Sequence, residues 1–448
     1  CSATTFNYAA TSGTAGVSFS WSRAVVAGIS EAASSGLTGT IAETLTNLTN
    51  TPLVVAYSFV ISANGCNNAE NVLVTVNPTP VLSSTTSPAA ICSGATFSYT
   101  ATSAVGGVSY SWTRSAVAGI SEAGSSGLVA GINETLTNTT SSPVVVTYAF
   151  VLSANGCANG QNVTVTVQPV PVVNVVSNQT LCNGASTTAV SFSGVATQYN
   201  WTNDTPSIGL AASGVGNIPS FTSLNPTTNP VTATITITPV YNGCTGTTTT
   251  FTITVNPTPV LTSTLTPSAI CSGTSFSYTP TSATGGTTYA WTRASVVGIS
   301  QAAGSGTGVI NETLTNTTVL PLSVVYNIVS TANGCSNGGQ NVVVTVYPTP
   351  LLSSTLTATA ICSGATFGYT PTSATTGTTF AWTRAAVGGI SPATGSGTGN
   401  ISEALSSSNA TPTVVTYVVV STANGCSNTG ENVTVTVQPV PVVNVVSN

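Results

Sequence analysis

The chain has 448 residues and a formal net charge of −5, and charged side chains make up 3% of it, against roughly 25% in an ordinary soluble domain. Four Arg are the entire basic complement, with no His and no Met, so nucleic acid, which needs clustered cations to displace counterions, is excluded as a partner. Hydrophobic residues reach 41%, too many for the disordered class, yet no apolar run approaches the ~20 residues of a bilayer span.

No basic, apolar-cored leader opens the chain, so any export signal is expected outside it. Ten Cys then mark a repeat: Cys1, Cys66, Cys92, Cys157, Cys182, Cys244, Cys271, Cys335, Cys362 and Cys426. In order they form five pairs, 65, 65, 62, 64 and 64 residues apart, and the first members recur every 89 to 91 residues. An internal repeat of that period reads as a tandem array. Each unit closes on Asn-Gly-Cys, and Val-x-Pro-x-Pro runs between units, as at 76–80, 167–171, 255–259 and 346–350. Two prolines fix φ and restrain their neighbours, which makes a stiff extended joint.

These joints divide the chain into domains at 1–77, 78–168, 169–256, 257–347 and 348–438, with 439–448 opening a further one. The first domain is expected to lack its first strand. Units one, two, four and five are alike; the third differs. QPVPVVNVVSN occurs at 168–178 and again at 438–448, so the chain reads as a window on a longer periodic array without capping repeats.

Within the second unit, Thr96 to Thr100, Val108 to Trp112 and Val163 to Val167 alternate apolar and polar residues, and Val144 to Leu152 is a longer β-branched and aromatic run. Period-two alternation and Gly/Ser/Asn/Pro punctuation predict an all-β, immunoglobulin-like sandwich of about seven antiparallel strands. One Cys precedes the second strand and the other follows the long sixth strand. If those points share a pole, each unit carries one disulfide of its own: Cys1–Cys66, Cys92–Cys157, Cys182–Cys244, Cys271–Cys335 and Cys362–Cys426. A metal is the poorer reading, because no unit offers more than two Cys, and there is no His. Disulfides place the protein outside the cytosol.

Every Arg lies two residues after a Trp: Trp21/Arg23, Trp112/Arg114, Trp291/Arg293 and Trp382/Arg384. The two side chains then point to one face of a strand, with Trp in the core and Arg at its rim in need of an anion. Glu43, Glu134, Glu312 and Glu403 follow their Arg by nineteen or twenty residues. Structural ion pairs are therefore expected between Arg23 and Glu43, Arg114 and Glu134, Arg293 and Glu312, and Arg384 and Glu403. A second acidic series, Glu31 and Glu122, becomes Gln301 and Pro392 while Arg stays. The third unit keeps its core Trp201 but has Asn203 in place of Arg.

Without His or Lys the usual general bases are missing, no paired carboxylates suggest glycoside chemistry, and the sole Asp, Asp204, cannot build a calcium cage. No enzyme activity and no cofactor are expected. Triplets at Asn47, Asn133, Asn162, Asn311 and Asn432 fit the glycan-acceptor pattern, though in a chain so rich in Asn and Thr most arise by chance.

Through Tyr110-Ser111-Trp112-Thr113-Arg114, the Ala-Asn-Gly-Cys turns, Asn162-Val163-Thr164-Val165-Thr166-Val167 and the Pro-Thr-Pro joints, the whole chain resembles the PKD-like, immunoglobulin-like repeats of very large Bacteroidota surface proteins. The resemblance implies a secreted or cell-surface location, type IX export through a terminal domain, and roles in adhesion, gliding or extracellular filaments.

The expectation is a shaft: modules on the order of 30–40 Å, five spanning roughly 150–200 Å by strand rise, giving an extracellular filament or adhesin length and tensile strength. Its partners would be neighbouring repeats or other copies in a fibre. One alternative is a module binding glycan or a host surface, which predicts aromatics clustered in exposed loops. Another is a pilin-like subunit that donates its last strand to a neighbour.

Overall fold

A computed structural model describes residues 1–441; of the segment 439–448, expected to open a further domain, residues 442–448 lie outside the described residues. The described chain is built from strands, with one short 3-10 turn, Pro206–Ile208, in the third unit. Five separate hydrophobic cores are strung along it, one in each unit.

The second unit shows the plan. Its strands are β1 (Ile91–Cys92), β2 (Ala95–Thr100), β3 (Ser109–Arg114), β4 (Ser125–Gly127), β5 (Gly131–Leu136), β6 (Val144–Ala154) and β7 (Cys157–Gln168). One sheet has the order β4-β3-β6-β7-β1, and the other pairs β5 with β2. All contacts are antiparallel except β1, which lies parallel to the end of β7.

Alternation decides the faces. Val146, Tyr148, Phe150 and Leu152 on β6 point inward with Val163, Val165 and Val167 on β7, all at most 1% exposed. They meet Phe97 and Ile132 from the facing pair of strands. Trp112 stands edge-on to Tyr148 at 5.5 Å between ring centres, and Phe97 stacks on the same Tyr at 5.4 Å. Burying each such side chain contributes roughly 1.5–3 kcal/mol.

Strands β6 and β7 join through Asn155 and Gly156, whose φ values are +51° and +78°. A two-residue type I′ hairpin demands positive φ at both positions, which Asn-Gly tolerates. The same turn recurs at Asn64-Gly65, Asn242-Gly243, Asn333-Gly334 and Asn424-Gly425.

That hairpin overturns the expected cysteine pairing. The turn makes Cys157 the first residue of β7, whereas Cys92 on β1 pairs with Gln168, the last residue of the same strand. Twelve residues of β7 at ~3.3 Å each hold the two sulfurs roughly 35 Å apart. They occupy opposite poles, so no unit closes on itself. The bonds formed are Cys1–Cys157, Cys92–Cys244, Cys182–Cys335 and Cys271–Cys426. Each joins the first Cys of one unit, at the pole where its chain leaves, to the second Cys of the next, at the pole where the chain enters. Cys66 and Cys362 are unpaired and exposed.

The joints are packed as well as bonded. Ser2 N–H donates to Asn77 O (2.7 Å), fixing Cys1 beside the exit of unit one. Asn77 Nδ2 then donates to the Asn155 carbonyl of the next unit's hairpin (2.9 Å), and Asn256 Nδ2 repeats this on Asn333 (2.9 Å). On the entry side Leu82 N–H donates to Gln161, and Asn159 Nδ2 donates to Pro80 O (3.0 Å). The Pro-x-Pro segment is thereby held against the unit it enters.

Candidate functional site

The chain's charge chemistry is concentrated at one place that recurs in four units. In unit two, β3 carries Arg114 to the rim of the core, where it is 3% exposed. Its Nε lies 3.0 Å from Glu134 Oε2, brought by β5 of the facing sheet. Its Nη2 donates to Ala123 O at 2.6 Å, in the loop before β4. Tyr148 Oη donates to the same carboxylate oxygen at 2.6 Å. The cluster therefore ties both sheets and one loop together.

The structure brings together each of the other pairs: Arg23 with Glu43 (2.8 Å), Arg293 with Glu312 (2.8 Å) and Arg384 with Glu403 (2.7 Å). Tyr57, Tyr326 and Tyr417 each donate to the respective Glu at 2.6 Å. Arg384 is bidentate, through Nε and Nη2, and its guanidinium carbon sits 5.9 Å from the Tyr417 ring centre. Charge-assisted bonds of this kind are about twice as strong as neutral ones.

Electrostatics follow from the geometry. At Glu312 desolvation works upward, but hydrogen bonds from Arg293 and Tyr326, together with the guanidinium charge, prevail and hold the carboxyl below its ordinary range. Glu43, Glu134 and Glu403 shift in the same direction. Burial, then the bond to the carboxylate, pushes the Tyr326 hydroxyl well above the usual tyrosine range. With each carboxylate held by both an Arg and a Tyr, and each Arg also committed to backbone carbonyls, the cluster is built to brace rather than to turn over or seize a ligand.

The second acidic series does other work. Glu122 Oε2 accepts from Thr137 N–H at 2.8 Å, and Gln301 Oε1 accepts from Thr315 N–H at the same distance. A neutral amide closes that loop equally well, which explains why Gln can stand there while Arg remains. At Glu122 desolvation raises the pKa, but the bonds from Thr137 overcome it and take the group to about 2.

The core tryptophans Trp21, Trp112, Trp201, Trp291 and Trp382 are 6–8% exposed. Each faces a glycine across the edge of its sheet, as Trp112 faces Gly127 and Trp201 faces Gly214. A Cβ on Gly127 would stand 2.7 Å from the indole, so the ring lies flat where a side chain would be. Sequence reading passed over these glycines, although each lies fifteen residues or less after its Trp in every unit.

A third feature went unread for a better reason. Asn47, Asn138, Asn225 and Asn316 are buried. Asn138 Nδ2 donates to Ser142 O (2.8 Å) and Val167 O (2.9 Å), while its Oδ1 accepts from Thr140 N–H and Oγ1 (2.8 Å each). Asn47 makes the same knot with Thr51, Val76 and Thr49. The Asn-x-Thr pattern there is a folded clasp, and its amide nitrogen is not free to carry a glycan. Asn133, Asn162, Asn311 and Asn432 are exposed.

Among the described residues no group of three His, Cys, Asp or Glu is placed to hold a metal ion, and no helix is long and apolar enough to cross a membrane.

Comparison with known proteins adds a family. A model described as a PKD-like domain matches residues 89–171, 268–350 and 359–441, more than half the chain. Among solved structures, the immunoglobulin domains 1–5 of Sidekick-1 share 12% identity over 98% of this chain and 95% of that one, with a TM-score of 0.25. The N-terminal eight Ig domains of the Down Syndrome Cell Adhesion Molecule share 10% identity over 98% and 71%, with a TM-score of 0.32. The I-band fragment I67–I69 of titin shares 12% identity over 60% and 99%, with a TM-score of 0.32. Overlaps this loose bear on neither the arrangement of the units nor their function. No curated protein matches the chain. By the span of the family match, the chain belongs to the PKD-like domain family, as a tandem array of all-β units.

Proposed function

We propose that this chain is a shaft segment of an extracellular surface filament or adhesin, giving it length and tensile stiffness. The observation that carries the reading is that all four disulfides cross a joint between units. A bond across each joint restrains bending and slippage between neighbours, which a string of independently mobile binding modules does not need. Disulfides persist in oxidising surroundings, which supports an extracellular location. Strand length puts each module near 40 Å, so five in line make a rod of roughly 200 Å. The likeness of the repeats to those of Bacteroidota surface proteins supports placement on such a cell and export by the type IX route.

The same geometry weighs against a glycan-binding module. Among the described residues, Tyr8 is the one aromatic among the large apolar side chains that are well exposed, so the described units do not repeat a stacking platform for sugars. In this reading the Val-x-Pro-x-Pro segments are the joints, and the partners are further units in the same fibre.

Electron microscopy of the native assembly tests the reading. A filament with an axial repeat near one module length is the expected outcome. Compact particles with modules swinging freely would end it.

A further inference from the structure

The four disulfides overlap. Cys92 lies inside the loop closed by Cys1–Cys157, and Cys157 lies inside the loop closed by Cys92–Cys244; the same interlock recurs with Cys182–Cys335 and Cys271–Cys426. Every peptide bond between Cys1 and Cys426 therefore lies inside at least one closed covalent loop. The bodies of units two, three and four, from first to second Cys, lie inside two. Bonds within units would have left each Pro-x-Pro joint outside every loop, as the single strand on which the whole array hangs.

We propose that the staggered disulfides make the array a covalently redundant cable. It stays connected end to end after any one backbone cut between Cys1 and Cys426, and it yields only a fraction of its contour length under tension. Hydrolysis of one peptide bond adds a water and breaks one C–N link. Both new termini remain tied through the sulfur bridge that spans the cut. This follows from connectivity alone and does not depend on the shaft reading.

Extension is limited by the same routes. The shortest covalent path from Cys1 to Cys426 crosses to Cys157, runs 25 residues to Cys182, crosses to Cys335, runs 64 residues back to Cys271 and crosses to Cys426. That is about 90 residues of backbone, or about 300 Å fully drawn out, against about 1,450 Å for the reduced chain. With every core unfolded, the oxidised cable would thus reach about a fifth of the reduced chain's length between Cys1 and Cys426. The joints are the places where this matters most. Val175, between Cys157 and Cys182, is 94% exposed and open to a protease that cuts after small apolar residues.

The test places a specific protease site between Val175 and Val176 in the oxidised full chain. After cutting, one full-length band without reductant and two fragments with it are expected. Two fragments without reductant, the outcome that bonds within units would give, overturn the proposal. Limited elastase digestion of the unaltered chain covers the case in which the insertion disturbs folding. A fragment released before reduction by a single cut between Cys1 and Cys426, located by mass spectrometry, overturns it. Pulling single molecules by their ends gives a separate reading, in which reduction should raise the final extension about fourfold, since the segment after Cys426 extends in both states. Equal extensions in both states also overturn it. Neither gel nor pulling outcome bears on whether native arrays form filaments, so the two readings fail separately.

Discussion

In unit two the residue two positions after the core tryptophan is Arg114; in unit three it is Asn203. Both are buried, and both answer the same need, which is to satisfy carbonyls of the loop that follows the strand. Arg114 reaches Ala123 O and requires Glu134 and Tyr148 to balance and seat its charge. Asn203 Nδ2 reaches Leu210 O (3.0 Å) and Ala211 O (3.3 Å) with no charge at all. The shorter side chain suffices because the 3-10 turn Pro206–Ile208 draws that loop inward and seats Ile208, fully buried, in the core. Opposite Asn203 stands Ile235, where Tyr326 stands opposite Arg293. The charged cluster is thus one solution to a backbone requirement, and the fold does not depend on it.

The sharpest way to break that comparison is to remove the cation. Arg114→Leu leaves Glu134 without its partner and should cost unit two about 3 kcal/mol or more. Asn203→Leu strands two carbonyls and should cost unit three about 1–3 kcal/mol. Hydrogen exchange of the strands of each unit, read peptide by peptide, would compare them; an equal or smaller loss at Arg114 would break the distinction.

Next comes a feature the two units share. Gly127→Val and Gly214→Val each drive a side chain into the indole opposite and should destabilise their units by about 1–3 kcal/mol through overpacking. Thermal unfolding of the two variants should show similar penalties. A penalty confined to one unit would mean that the Trp–Gly contact is not common ground.

Acid offers a milder probe. The four cluster carboxyls have folded-state pKa values below their ordinary range. Their contribution is present above the unfolded value, near 4.3, and is lost as pH falls through the lowered folded values. Units one, two, four and five should loosen in acid, with unit three least affected. Uniform loosening, followed by hydrogen exchange against pH, would contradict the assignment. Smallest of all, Glu122→Gln should change stability by no more than about 0.5 kcal/mol, since Gln301 already makes that loop contact. A larger loss in a denaturation midpoint would give Glu122 a role that its hydrogen bond does not show.

Much of the site was legible from residues alone. Arg and Glu recur together and vanish together in unit three, and alternation puts Trp and Arg on one face, so the partnership of Arg114 with Glu134 is readable without coordinates. The tyrosine that completes it is hidden, because Tyr148 sits among other inward residues of a long strand and nothing in its neighbours marks its hydroxyl. The Asn138 clasp is hidden by resemblance, since Asn-x-Thr reads as an acceptor triplet unless its burial is known. The cysteine partners were half visible: Asn-Gly between two strands signals a tight hairpin, and counting from it puts Cys157 at the far end of the last strand from Cys92.

By itself, the sequence determined the period of the array, the strand-rich character of each unit, the place of its Pro-x-Pro segments and its core aromatics. These depend on local spacing, on residue volume and on the fixed φ of proline, which every copy repeats. Only the tertiary structure decided which sulfurs meet, which asparagines are buried and which glycines lie under an indole. The first depends on which pole of one body abuts the next and the other two on how the strands of one unit pack, distances through space that no count along the chain contains.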